Sequence, residues 1–322
     1  MLAIKAILLG ILAALFFSLT FLLNEINLSD SGYWIWVATL RYLWMLPMIM
    51  LLGLVPQLKS DFRRVLTSMK EAPSYWFIWS NVCFVLFYVP LTWSAQFLPG
   101  WLVSSLWQLT IVFGVLTTPL MTVTDNSGYK YRLKIPGNKI KWMVVILLGI
   151  GLTTVQTNGF SQVTPMFWFA IVAIIIAAIC YPLGNRQIGN RYPTFNGLEK
   201  VFGMLIATYP TFIVLSIIGY LKAGLPSQGT LVSTFSVALS SGVIATVLFF
   251  QATAMAARNM ETLATVEATQ SFEVIFTVLL GLVFLGHTLP NHLQLTGLAI
   301  MLFGITGINL SGNWRLRKRN YS

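Results

Sequence analysis

Charge is what this chain has least of. Asp, Glu, Lys and Arg make up 9% of its 322 residues, against roughly 25% in soluble domains. With 57% hydrophobic residues and a mean hydropathy of +0.77, an ordinary soluble domain is excluded and an integral membrane protein is expected. Cysteine is nearly absent: Cys83 and Cys180 lie in apolar runs without metal-ligand spacing, which excludes a disulfide scaffold and reads as two buried thiols. The chain has no G-x-x-x-x-G-K-[ST] loop, nucleophile elbow or His-rich metal motif, so ATP-driven transport by this chain alone, an enzyme and a cofactor are not expected. The apolar runs show no period-two alternation, which excludes barrel strands.

What is present is a series of long apolar segments. Ten membrane helices are expected, over 6–23, 33–55, 74–94, 101–123, 140–156, 165–183, 198–221, 231–256, 262–285 and 292–310. The first segment follows Lys5 as a signal sequence would. It exceeds a normal signal core and lacks a small-residue cleavage site before Asn24 and Glu25, so it counts as helix 1. Basic residues exceed acidic ones, twenty to nine. Eighteen of the twenty fall at the amino terminus, in the loops 56–73, 125–139, 184–197 and 257–261, in the tail from 312, or at the adjoining helix ends. That bias places both termini on the cytoplasmic side of the cell membrane. The net charge of +11 thus belongs to short loops facing anionic lipid headgroups, with no soluble module to bind nucleic acid. The loops KSDFRRVLTSMKEAP and DNSGYKYRLKIPGNK are expected to lie along that surface.

The most informative stretch is TLATVEATQSFEVIF, 262–276. It puts Glu267, Gln270 and Glu273 inside a membrane-spanning segment, where a charge costs about 2.5–3.5 kcal/mol on insertion scales. On a helix these three and Thr269 fall within an arc of roughly 160°, with Ala264, Ala268, Phe272 and Leu279 mostly outside it. One broad polar face results, either lining a cavity or bonding to neighbouring helices.

Arg41 lies about 10 Å inside helix 2 at 1.5 Å per residue. Glu25, at the same end of helix 1, could pair with it as a structural latch or as a gate. Trp76, Trp93 and Trp101 lie near helix ends and are assigned to the interfacial belt. Trp79, Tyr88 and Trp107 are deeper, and Trp101, Ser104, Ser105 and Gln108 give helix 4 a polar stripe. Aromatic faces and carboxylates together suit an organic cation; aromatic packing between helices is the plainer reading. Gly149, Gly151, Gly297, Gly304 and Gly307 read as close-packing positions. His287 and His292 flank Pro290 in a loop and read as incidental, and Arg258 and Glu261 as surface charges of a tight loop.

Asn24-Glu25 and Asn185-Arg186 close helices 1 and 6, and Gln108 and Gln270 lie in helices 4 and 9, at nearly equal separations. Two five-helix repeats follow, 1–160 and 161–322. Since five is odd, the second is inverted in the membrane. Ten such helices, the segment Ala95-Gln96-Phe97-Leu98-Pro99-Gly100, and the run LGHTLPNHLQLTGLAIMLFGI with Gln294, Gly297 and Gly304 resemble the drug/metabolite transporter superfamily, in its ten-helix multidrug-resistance efflux or EamA-like branch. The resemblance covers the whole chain. It departs at His287, where family members often carry Glu, in a spacing to Gln294 one residue longer, and at Glu25, which sits at the exit of helix 1 where four-helix relatives carry a mid-span Glu.

The expected function is a secondary transporter moving a small organic solute by alternating access, favoured as proton-coupled export of organic cations or drugs. The substrate-binding candidates are Glu267, Glu273, Gln270, Gln108, Trp79, Tyr88, Trp107 and Arg41; Glu25 and Arg41 are the gating candidates. The rivals are a carrier of amino acids, nucleosides or anionic intermediates using Arg41 and, outside transport, a membrane-embedded lipid-handling subunit. Expected partners are the solute, protons and membrane lipids. Sequence leaves monomer and homodimer open.

Overall fold

The computed structural model describes residues 2–29, 32–56, 60–120, 122–124, 130–132, 134–135, 137–155, 164–256 and 260–311. Among them are ten long helical rods and one short helix. In chain order these are α1 (Leu2–Ser29), α2 (Trp34–Gly53), the short α3 (Phe62–Glu71), α4 (Pro73–Ser94) and α5 (Gly100–Leu116). They continue with α6 (Gly137–Thr153), α7 (Pro165–Arg191), α8 (Gly197–Ala223) and α9 (Gln228–Ala256). The last two are α10, running from Met260 to Phe284, and α11 (His292–Ser311). Eight rods are long and apolar enough to cross a membrane; α5 is a shorter apolar helix and α6 has 17 residues. The molecule is an all-α multi-pass membrane protein.

Local chemistry sets the helix ends. Asp61 accepts from the Arg63 and Arg64 amides to start α3. Asn196 and Glu199 form a reciprocal capping box on α8. Ser227 caps α9, Pro165 opens α7, and Gly224, at φ 72°, ends α8 in a conformation glycine adopts freely. Gln294 also caps: it accepts from the Asn291 amide at 3.0 Å while its own amide donates to Asn291 Oδ1 at 2.9 Å. One turn further, Gly297 lies against Gly149, where a Cβ would come within 2.7 Å of the opposing carbonyl. Gly304 and Gly307 likewise face Ile146 and Trp142 of α6, so these glycines bring α6 and α11 together. Gly151 has open space and takes no part.

Several expected boundaries move. α1 continues to Ser29 and α7 to Arg191, so Asn24-Glu25 and Asn185-Arg186 lie inside helices. α5 ends at Leu116, and Thr122–Thr124 pairs antiparallel with Lys130–Arg132, a two-stranded hairpin where a surface-lying loop was expected. Arg258 and the tail from 312 lie outside the described residues, as does the side chain of Glu261.

Hydrogen bonds between rods mark the two ends of the bundle. At one end, Glu199 of α8 binds Arg64 of α3 (Nη2 to Oε2 2.5 Å), and Asn138 Nδ2 donates to the Ser311 carbonyl at 2.7 Å. At the other, Trp36 Nε1 donates to the Gly224 carbonyl at 3.0 Å, and Thr230 Oγ1 to Asn27 Oδ1 at 3.2 Å.

Candidate functional site

Four rods depart from α-helical geometry, and each departure carries residues into one cavity. α4 contains a π-helical segment at Asn81–Val85 and α9 another at Ala238–Ile244. α5 is interrupted at Gln108, and α10 passes through a 3-10 turn at Thr269–Ser271. Cys83 and Phe84, Ser241 and Gly242, Gln108, and Gln270 with Glu273 just beyond all line a cavity of about 690 Å³. π-helical turns inside α-helices occur frequently at functional sites, because the extra residue turns the following side chains onto a new face.

The upper part of the cavity lies deep in the bundle. Arg41 of α2 is 9% exposed; its Nη2 donates to Ser241 Oγ at 3.0 Å, and its guanidinium carbon sits 4.3 Å from the Tyr88 ring centroid. Tyr88 is fixed in turn by Asn24, with Asn24 Nδ2 3.1 Å from its hydroxyl. Tyr42 stacks on Phe212 at 4.5 Å. Phe87, Trp107 and Tyr181 form a three-ring cluster with centroids 4.6–5.3 Å apart. Glu273 is buried and lines the same cavity as Gln108 and Arg41.

The lower part reaches the bundle end that carries α3 and the α7–α8 connection. Lys200 and Asn309 line it there, with Asn185 and Glu267 exposed, so the cavity meets solvent at that end. The opposite end is shut. Glu25 Oε2 accepts from the Gly100 amide at 2.8 Å and Oε1 lies 3.1 Å from His287 Nε2, tying α1 to the start of α5 and to the α10–α11 loop.

Glu267, Gln270, Glu273, Gln108, Tyr88, Trp107 and Arg41 therefore share one cavity. Trp79 does not: it faces Tyr75 at 6.3 Å, and its carbonyl abuts Gly184 of α7. Glu25 does not pair with Arg41 here. Extending α1 by a turn and a half carries Glu25 to the shut end, while Ser241 and Tyr88 hold Arg41 inside the cavity. His287, read as incidental, is the partner Glu25 has instead. Trp76 is not interfacial: it is fully buried, stacked on Tyr192 at 4.8 Å. On α5 the Ser104 and Ser105 hydroxyls donate to the Trp101 carbonyl, leaving Gln108 as the polar group offered to the cavity. Sequence reading missed Tyr181, Lys200, Asn185 and Ser241. Of these only Ser241 carried a signal that could have found it, the Ser-Ser-Gly run at 240–242 inside an apolar segment.

A multi-pass bundle of helices around a partly charged, aromatic-walled cavity with one end shut and the other in solvent has the architecture of a membrane transporter. Residues 4–313 match the EmrE family model, described as "Putative multidrug resistance efflux transporter", and the chain belongs to that family. It is 42% identical over 308 residues to the uncharacterized protein YjlA of Bacillus subtilis (strain 168), covering 94% of this chain and 93% of that one. It is 38% identical over 270 residues to an uncharacterized 42.1 kDa protein from the intracellular alkaline protease 3′ region of Shouchella clausii, covering 84% and 70%. A crystal structure with 14% identity superimposes over 98% of this chain and 99% of its own at a TM-score of 0.61, a likeness of fold alone.

Proposed function

We propose that this protein is a proton-coupled secondary transporter that exports small amine-bearing organic solutes across the cytoplasmic membrane by alternating access. The observation that carries the reading is Glu273, a carboxyl buried beside Gln108 in an aromatic-walled cavity. A protonated amine and a proton compete for such a group, and aromatic rings add cation–π attraction. Glu267, exposed nearer the mouth, receives the solute on its way in. Both termini are cytoplasmic in this reading, by the distribution of basic residues, so the solvent-reaching end is the inner one. Two inverted five-helix halves, 1–160 and 161–322, fit the irregularities: π segments fall on the third and eighth long rods, and interruptions on the fourth and ninth. Exchange of the open and shut ends then needs only that the halves swap conformations.

The test is uptake of an organic amine into proteoliposomes under an imposed pH gradient. Glu273→Gln removes the titrating group but keeps its shape, and gradient-driven uptake falls to background while detergent-solubilised protein remains monodisperse. Glu267→Gln is expected to reduce uptake less. Undiminished gradient-driven uptake in the double variant would overturn the reading.

A further inference from the structure

Asn24-Glu25 and Asn185-Arg186 hold matching places in the two halves, with α1 answering to α7 and α5 to α10. At the shut end Glu25 makes two contacts, one to the start of α5 at the Gly100 amide and one to His287 just past the end of α10. Inversion turns these into two contacts for Arg186 of α7, one to the end of α5 and one to the first turns of α10. The first contact is present. Arg186 Nη1 donates to Thr118 Oγ1 at 3.2 Å and to Thr117 Oγ1 at 3.4 Å, and its Nη2 rests over Gly114. The second is absent among the described residues, and α10 is a wall of the open mouth. Arg186 is half-buried with hydroxyls alone for partners, a poor return for a guanidinium drawn out of water. Glu267 of α10 is exposed at the mouth and also forms no ion pair among the described residues. The other described carboxylates at this end are committed or remote: Asp61 caps α3, Glu199 holds Arg64, and Glu71 ends α3 away from the cavity wall. Asn185, next to Arg186, lines the cavity with Glu267, so narrowing the mouth brings α7 and α10 together there.

We propose that Arg186 and Glu267 form the latch of the inner end: when the mouth closes, Glu267 joins the Thr117 and Thr118 hydroxyls on Arg186 and ties α7 to α10, as Glu25 ties α1 to α5 at the opposite end. The inference rests on the alternating-access reading above and adds to it the residues that hold the other closed form. A guanidinium meets a carboxylate in two parallel hydrogen bonds, and the pair strengthens as water leaves the narrowing mouth. While the mouth is open, the two hydroxyls keep the Arg186 head parked at the end of α5.

The test is a charge-reversal cycle read at the far end of the full-length purified protein, with Cys83 and Cys180 replaced by serine. Leu28→Cys, a half-buried position of α1 at the shut end, is labelled by a thiol reagent only as that end opens, and so reports how often the mouth is closed. Its distance from both substitutions keeps their charge from acting on the thiol itself. Arg186→Glu or Glu267→Arg alone should slow labelling about two- to fivefold, as loss of one ion pair from the mouth-closed form implies. The double reversal should return the rate to near that of the unreversed protein, whereas Lys200→Glu, the same charge change at the mouth, should not be rescued by Glu267→Arg. A second measurement does not need the reversed charges to fold: Arg186→Cys with Glu267→Cys should be joined by oxidation as the mouth closes. Single reversals without effect, a double reversal no faster than the singles, or a cysteine pair that stays reduced would overturn the latch. Neither readout uses a solute or a pH gradient, so failure of proton-coupled amine export leaves both unchanged. Failure of alternating access looks different again: Leu28→Cys would then go unlabelled even without a reversal, which overturns that reading and the latch with it.

Discussion

The two ends of the bundle are built from different interactions. The shut end is joined by side chains reaching between rods: Glu25 to His287 and to the Gly100 amide, Asn27 to Thr230, Trp36 to the Gly224 carbonyl, and Ser233 to the Leu23 carbonyl at 3.3 Å. Apart from the Glu25–His287 contact, these bonds are neutral or involve a single charge, and each is modest. The end that reaches solvent carries the Asn138–Ser311 and Tyr75–Gln187 carbonyl bonds, but its charged clamp gathers on one buried carboxylate. Glu199 accepts from the Asp61 amide (2.7 Å), the Asn196 amide (2.7 Å), and Arg64 Nε (3.0 Å) and Nη2 (2.5 Å). A net hydrogen bond is worth about 0.5–1.5 kcal/mol, and more when charged. The shut end is thus a set of small separable contacts, and the clamp beside the mouth is concentrated in one residue. An end that must open is expected to look like the first, and a hinge that must not like the second.

The largest effect is expected from welding the shut end. Asn27 and Thr230 touch at 3.2 Å across α1 and α9. In a background where Cys83 and Cys180 are replaced by serine, Asn27→Cys with Thr230→Cys should form a disulfide on oxidation. Transport should then stop almost completely and return on reduction, because a covalent bond cannot be opened by the few kcal/mol that separate conformers. Binding of solute from the mouth side should persist. Full transport in the oxidised protein would show that this end need not open.

A smaller loss should follow from cutting the clamp. Glu199→Ala removes four hydrogen bonds, one of them half of the capping box, and leaves Arg64 only the Thr194 carbonyl. Since Arg64 is half in solvent, the expected cost is about 1–3 kcal/mol. The unfolding temperature in detergent should fall by several degrees, while affinity for a bound solute changes little. Glu199→Gln keeps part of the bonding and should fall between. Loss of binding without loss of stability would mean that Glu199 belongs to the cavity.

What the sequence made legible divides along a related line. The all-helical membrane class and the approximate placement of the apolar helices followed from long apolar runs, and Glu267, Glu273, Gln108 and Arg41 stood out because a polar residue at membrane depth needs a reason. Helix phase was not legible. One inserted residue turns the following face by about 100° relative to an uninterrupted helix, and nothing in Asn81–Val85 announces a π segment. Hence Trp79 was grouped with Tyr88, although the two face different neighbours. Tyr181 and Lys200 were passed over because an aromatic in an apolar run and a lysine at a helix start are ordinary features. The partner of Glu25 escaped for another reason: α1 persists past two polar residues, since Asn24 and Glu25 are satisfied by tertiary contacts to Tyr88, Gly100 and His287. Propensity cannot report a satisfaction supplied from elsewhere in the fold.

The smallest expected effect is the sharpest test of the contrast between the ends. His287 and Glu25 are 28% and 14% exposed, so their pair is rim-like. Such pairs contribute about 0–1 kcal/mol, and the Gly100 amide still holds Glu25 when the imidazole is gone. His287→Ala should therefore leave the unfolding temperature nearly unchanged. A loss of up to 1 kcal/mol at one end nevertheless shifts the balance between open and shut forms by up to about fivefold. The readout is labelling by a membrane-impermeant thiol reagent of Leu28→Cys, a half-buried position of α1 at the shut end, in the cysteine-free background. Its rate should rise two- to fivefold, roughly as that population shift requires, while labelling of Asn185→Cys at the mouth falls or stays level. A rise at both positions would mean general loosening. No change at either would assign the closure of that end to Asn27, Thr230 and the Trp36 bond, with His287 a bystander.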